Sequence, residues 1–153
     1  MGRVGASDGA VARHAGARKG TGPNVVSPIL PDFRTSLVKW NKARFASNGH
    51  GLGRYDADVY VNAEGKDACM SARVAIPVGT RIVMEHVERG GQPGPTIPGP
   101  MMMMEKKPPG FDADHGDWRY VGVDANGVQD GALDACKTCH DEAPHDHVFS
   151  LPQ

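Results

Sequence analysis

Cys136-Lys137-Thr138-Cys139-His140 lies close to the C-terminus and organises the reading of the chain. Two cysteines three residues apart share one face of a helical turn. From there both thiols can add to the two vinyl groups of a haem. The histidine directly after the second cysteine can reach the iron as an axial ligand, so the pattern reads as a covalent haem-attachment site with one haem c per chain. Cys136, Cys139 and His140 are the residues assigned to it. A zinc site is the competing reading, because His145 and His147 follow closely and would complete a Cys2His2 set.

Outward from the motif, the chain reads as strands separated by turns. Gly 20 and Pro 12 among 153 residues favour many turns over long helices. Arg54 to Asn62 alternates, with Tyr55, Ala57, Val59 and Val61 on one face, and predicts a half-buried strand. Asn62 is expected to cap a short helix over Ala63 to Met70. Ala75 to Gly79 turns the chain into a strand over Thr80 to Val87, with Ile82, Met84 and His86 on one face and Arg81, Val83, Glu85 and Val87 on the other. Gly90 to Pro100 is dense in glycine and proline and predicts a loop. Met101 to Lys106 predicts a third strand whose four methionines fill both faces with flexible apolar volume. Pro108-Pro109-Gly110 ends it, and Phe111 to Asp117 is an acidic loop. Trp118 to Asp124 predicts a further strand, closed by the turn Asp124-Ala125-Asn126-Gly127. The last helix starts near Leu133, carries the haem motif and stops by Pro144.

Upstream, Phe33, Leu37, Trp40 and Phe45 recur at roughly helical spacing and predict an amphipathic helix, capped by Asp32. Asn48 to Gly53 is a flexible turn with His50 expected in solvent. Its glycines are not a phosphate loop, since no lysine with serine or threonine follows at the needed offset. Residues 1–27 lack apolar periodicity and read as a flexible tail, leaving 28–153 as a single haem-binding domain. Met1 to Val26 shows no apolar leader core. Haem attachment by this motif is completed outside the cytoplasm, so the chemistry predicts a periplasmic protein whose leader has been removed or replaced. A net charge of -1 suggests no nucleic-acid surface, and no apolar run approaches membrane-spanning length. Cys69, without an obvious partner, is expected to be a small buried side chain.

Three or four strands, many turns and the haem motif last is a combination that resembles the cytochrome P-460 and cytochrome c prime-beta superfamily. The resemblance runs from about Ser27 to Phe149. It is carried by Val38-Lys39-Trp40, Val59-Tyr60-Val61-Asn62, the segment from Pro77 to Glu85, Met104-Glu105-Lys106, Gly116 to Tyr120, Cys136 to His140, and Asp146 to Phe149. It implies an α+β fold: an antiparallel β-sheet flanked by helices, with the C-terminal helix carrying the c-type haem motif. It also implies His140 as proximal ligand, a homodimer, and action on small nitrogen species.

Within that resemblance, one type oxidises hydroxylamine and has a lysine joined to the haem. That lysine aligns just before the glutamate of the Gly79-Thr80 strand, where this chain has Met84. A thioether cannot make the amine link, so hydroxylamine oxidation is disfavoured, with Lys66, Lys106 and Lys107 as alternative counterparts. Met84 is expected on the distal face of the haem, as a sixth ligand or crowding that side. With nitric oxide as favoured ligand and peroxide or hydroxylamine beside it, the expectation is a ligand-binding haem protein; an electron carrier with His140/Met84 ligation is the alternative. Glu142 or Asp146 could supply a proton-transfer carboxylate, Arg81 could balance a propionate, and His86 is a weaker candidate ligand than His140. No redox partner is indicated.

Overall fold

The computed structural model describes residues 18–20, 27–71, 74–90 and 95–152. Its framework is an antiparallel sheet of β1 (Arg18–Gly20), β2 (Val38–Lys39), β3 (Phe45–Ala46), β4 (Tyr55–Val61), β5 (Arg81–Glu88), β6 (Pro98–Lys106), β7 (Trp118–Asp124) and β8 (Gly127–Gly131). The order across it is β1-β8-β7-β6-β5-β4-β2, with β3 also paired to β4. From β4 to β8, neighbours in sequence are neighbours in space, the arrangement short connections favour. Among the described residues, three α-helices accompany the sheet: α1 (Phe33–Ser36), α2 (Ala63–Met70) and α3 (Asp134–His140). The expected α+β fold, with the haem motif on the C-terminal helix, is therefore what the chain adopts.

Strand register sorts the side chains. Val59 pairs with Met84, Met84 with Met102, and Met102 with Gly122, so these four form one row across the sheet. The next row on the same face runs Val61, Ile82, Met104, Tyr120. Val59, Val61, Ile82, Met104, Trp118 and Tyr120 join Ala68, Cys69, Leu133 and Val148 in the larger core, under α2, α3 and the C-terminal segment. Tyr60, Val83, Met103 and Val121 point the other way and pack with Ile29 and Phe33. Phe33 meets Tyr60 edge-on at 5.2 Å. Met103 and Met104 thus fill opposite faces of a central strand, as the methionine run suggested.

The helix expected from Asp32 through Phe45 is a single turn, Phe33–Ser36. Leu37 is already extended, and Val38 and Lys39 pair with Val61 and Tyr60. Phe33 belongs to one core and Trp40 to the other, so no helical face could serve both. Pairing along the edge of β4 outweighs a weak local preference. Asp32 makes no side-chain cap; its carbonyl accepts from the Thr35 and Ser36 amides and hydroxyls. α2 matches its expected bounds, but Asn62 does not cap it either. The Asn62 side chain instead ties the approach to β5, accepting from the Arg81 amide at 2.8 Å and donating to the Gly79 carbonyl.

β6 starts at Pro98, inside the segment expected to be a loop, and Pro98 pairs with Val87 beyond a bulge at Glu85/Val87. Proline is tolerated at a strand's first residue because no ladder donor is needed there. Residues 91–94 of that segment lie outside the described residues. β8, with one apolar residue in Gly-Val-Gln-Asp-Gly, has no period-2 signal; the tight turn after Asp124 folds it back on β7. Of the tail expected over 1–27, Arg18–Gly20 pair with β8 as an edge strand, while 1–17 and 21–26 lie outside the described residues.

Candidate functional site

α3 begins where Leu133, in extended conformation, offers its carbonyl to the Cys136 and Lys137 amides. Neither Cys136 nor Cys139 is in a disulfide; Cys136 is half-buried and Cys139 exposed. His140 ends the helix. Its Nδ1 lies 2.7 Å from the His147 carbonyl oxygen. A carbonyl only accepts, so Nδ1 carries the proton and Nε2 keeps its lone pair, the tautomer a metal needs. Burial holds the His140 pKa below its ordinary value, which keeps the ring neutral. Tyr120 and Phe149 flank it, with ring centroids at 5.4 and 5.5 Å.

The His147 carbonyl is positioned by a strained turn. Asp146 and His147 both have positive φ, 45° and 63°, a conformation that costs L-residues energy. Two hydrogen-bonded contacts hold it, and a third group lies close by without hydrogen-bond geometry. Lys106 Nζ donates to both Asp146 carboxylate oxygens at 2.7 and 2.9 Å. Trp118 Nε1 donates to the Asp146 carbonyl at 2.9 Å. His147 Nδ1 lies 3.0 Å from Asp141.

A cavity of about 310 Å³ separates α3 from the sheet, within the usual size of small-molecule sites. Cys136, Cys139 and His140 line one side, and Ile82, Met84, Met102 and Met104 line the sheet side. Two observations test whether a large planar group suits it. A Cβ added at Gly122, in the middle of the wall, would meet nothing within 4 Å. Tyr120 lines the same cavity, and its hydroxyl is buried without a hydrogen-bond partner; burial raises its pKa. Thiols, imidazole, a flat apolar wall and an orphaned phenol fit a haem.

At the far end of the cavity, Ser47 joins three side chains. Its hydroxyl lies 3.0 Å from His86 Nε2, 3.2 Å from His50 Nδ1 and 3.7 Å from Met84 Sδ. His86 is fully buried and its Nδ1 donates to the Pro100 carbonyl at 2.8 Å. Burial lowers its pKa. His50 lines the cavity rather than facing solvent, contrary to expectation. Burial, then the neighbouring His86 and His140, push its pKa down to about 4, so the ring is neutral near pH 7.

The remaining candidate residues are placed as follows. Met84 lies on the cavity wall. His86 is not free to bind iron, since Pro100 and Ser47 engage both ring nitrogens. Among the described residues, no lysine lines the cavity. Lys106 is committed to Asp146 and the Gly116 carbonyl, Lys107 contacts Glu105, and Lys66 is on α2. Glu142 is exposed and the Asp146 carboxylate is held by Lys106, so neither faces the cavity. Arg81 pairs with Glu105. His145 and His147 are half-buried; His145 Nε2 donates to the Ala68 carbonyl and His147 contacts Asp141. Among the described residues, no three His, Cys, Asp or Glu side chains converge on a point that could hold a metal ion. Cys69 is buried in the core as expected, and burial pushes its pKa up to about 11. Ser47, His50, Tyr120 and Gly122 were not marked by sequence reading, because each gains its place from strands far apart in the chain.

This arrangement defines an α+β protein whose antiparallel sheet and short C-terminal helix enclose a cavity edged by two thiols and a neutral imidazole. Comparison with known protein families matches residues 33–150 to Cytochrome P460. The chain belongs to that family, whose membership supports a c-type haem protein. None of the curated proteins compared with the chain matches it.

Proposed function

We propose that the protein is a mono-haem c-type cytochrome that binds small nitrogen species, nitric oxide foremost. In this reading Cys136 and Cys139 attach the haem by thioether bonds, His140 Nε2 is the proximal ligand, and Met84 stands on the distal side. When bound, the haem supplies a redox-active iron with a coordination position for a small ligand. The protein's part is to orient the proximal imidazole through the His147 carbonyl, which strengthens it as a donor. It also keeps the distal side largely apolar.

The observation that carries the proposal is the wall facing His140: Ile82, Met84, Met102 and Met104 line it, and among the described residues no lysine does. An apolar wall suits a neutral diatomic. Without an amine there, the haem–lysine link of a hydroxylamine oxidase has no donor. The test is optical spectroscopy of the ferric and ferrous holoprotein, with and without nitric oxide. A c-type spectrum and ready uptake by the reduced protein are expected; a reduced haem that takes up no nitric oxide refutes the reading.

The placement of Met84 also favours a second reading, an electron carrier with His140/Met84 ligation. A low-spin resting spectrum that turns high-spin in Met84→Ala would establish it. A high-spin resting spectrum would exclude it. Export to the periplasm and a homodimeric state complete the proposal, supported by the chemistry of attachment and by the resemblance respectively.

A further inference from the structure

We propose that His50 determines specificity at the distal end of the cavity, its Nε2 accepting a hydrogen bond from a small ligand that carries an O–H or N–H. The inference rests on the haem reading above and deepens it by naming the ligand chemistry that the far end of the same cavity recognises.

The argument runs along a chain of hydrogen bonds from one fixed end. The Pro100 carbonyl, 2.8 Å from His86 Nδ1, can only accept, so His86 Nδ1 carries the proton. His86 is one of the largest fully buried side chains, and burial favours a neutral ring. Its Nε2 is then a bare acceptor, and the Ser47 hydroxyl 3.0 Å away must donate to it. Met84 Sδ competes for the same hydrogen, but a thioether at 3.7 Å is a weaker acceptor than an imidazole nitrogen at 3.0 Å. With its hydrogen spent, Ser47 Oγ accepts from His50 Nδ1 at 3.2 Å. His50 therefore holds its proton on Nδ1. Its Nε2 keeps a lone pair with no hydrogen-bond partner among the described residues, on a ring that lines the cavity.

The surrounding geometry locks this state. His50 packs edge-on against His86 at 5.3 Å, and Tyr55 also packs edge-on against His86 at 5.6 Å. A Cβ at Gly99 would lie 2.8 Å from the Tyr55 ring and 2.9 Å from His86 Cβ, so the glycine lets β6 close over the Tyr55 ring and the base of the His86 side chain. Ile82, Met84, Met102 and Met104 on the sheet side of the cavity are apolar, and His50 Nε2 is an acceptor without a hydrogen-bond partner among the described residues. Nitric oxide has no proton to offer Nε2. Hydroxylamine or a hydroperoxide does, and gains a hydrogen bond that nitric oxide cannot make.

The test uses the haem-loaded protein and two probes, hydroxylamine and nitric oxide, with binding to the ferric form read optically by rapid mixing before any turnover. His50→Leu should weaken hydroxylamine binding by roughly three- to tenfold, the span of one neutral hydrogen bond, and leave nitric oxide within about twofold. Ser47→Ala, which frees the His50 tautomer, should move hydroxylamine in the same direction by less. Equal losses for both probes, or no loss for hydroxylamine, overturn the proposal. Nitrogen NMR of the His50 ring gives a second measurement that needs neither variant. Protonation at Nδ1 is expected, and protonation at Nε2 overturns the proposal with or without haem in the protein. Purified protein with no thioether-bound haem would instead overturn the functional reading, leaving the tautomer measurement to decide this one.

Discussion

Replacing Lys106 by methionine tests the link between the protein's frame and its proximal histidine. The variant keeps the apolar stem that lies against Trp118, with Lys106 Nζ 5.1 Å from the ring centroid, and removes only the ammonium. Three hydrogen bonds go with it, two to the Asp146 carboxylate and one to the Gly116 carbonyl. Stranding one partner of a fully buried ion pair costs about 3–5 kcal/mol. Here the Lys106 and Asp146 side chains are 14% and 23% exposed. Water recovers part of the loss, which leaves about 2–3 kcal/mol, the range for hydrogen bonds to charged groups.

The same loss releases the turn at Asp146 and His147, whose two left-handed residues store about 1 kcal/mol or more each. Relaxation would move the His147 carbonyl off His140 Nδ1. Urea unfolding of the holoprotein measures the first effect. The reduction potential measures the second, and should rise as the imidazole becomes a poorer donor. Asp146→Asn, which keeps an acceptor for Lys106 and tolerates positive φ, should cost only about 1 kcal/mol. A Lys106→Met protein within about 0.5 kcal/mol of wild type, with an unchanged potential, would refute the claim that this pair pins the proximal turn.

Gly122→Leu should fold, since its Cβ enters open space and glycine is the poorer strand former, yet intact mass should show that it carries no haem; a fully loaded variant would mean the cavity is not the haem site. Cys69, its thiol pushed up to about 11 chiefly by burial, should ignore a thiol reagent at pH 8 until the chain is unfolded, and rapid native labelling would contradict its burial. Its raised value also means that stability is complete below the ordinary thiol range and falls as pH rises toward about 11. Burial raises the Asp58 pKa, but hydrogen bonds from Lys39, Arg44 and Asn41 outweigh it and hold the carboxyl below its ordinary value. That stabilisation is present above the ordinary carboxylate range and is lost as pH falls through the depressed folded value. The stability gap between wild type and Asp58→Asn should therefore close in strong acid, and a gap independent of pH would show that the Asp58 charge is not involved.

How much of this was legible beforehand depended on how local each feature is. β4 showed itself through alternation, β5 and β7 through apolar residues between turn signals, and α2 through its flanking turns, because strand period and turn residues are both local signals. β2 did not: Phe33, Leu37 and Trp40 mimic a helix, but their destinations are two different cores on opposite faces of the sheet. β8 has almost no apolar residues to read and exists because a hairpin delivers it to the edge of β7. His50 looked like a solvated loop residue. Only the approach of β5 through His86, and of the segment after β3 through Ser47, turns it inward.

By itself, the sequence determined what depends on near neighbours: two thiols and an imidazole on one helical turn, the alternation of β4, and an α+β composition without long helices. The tertiary structure alone decided what depends on register between distant strands. It placed Met84, Met102 and Gly122 in one row opposite His140. It turned His147 into the partner of His140 through a strained bend held by Lys106, forty residues away in sequence. Contacts of that kind carry no local period, because pairing across a sheet is set by the whole set of ladders and not by any one segment.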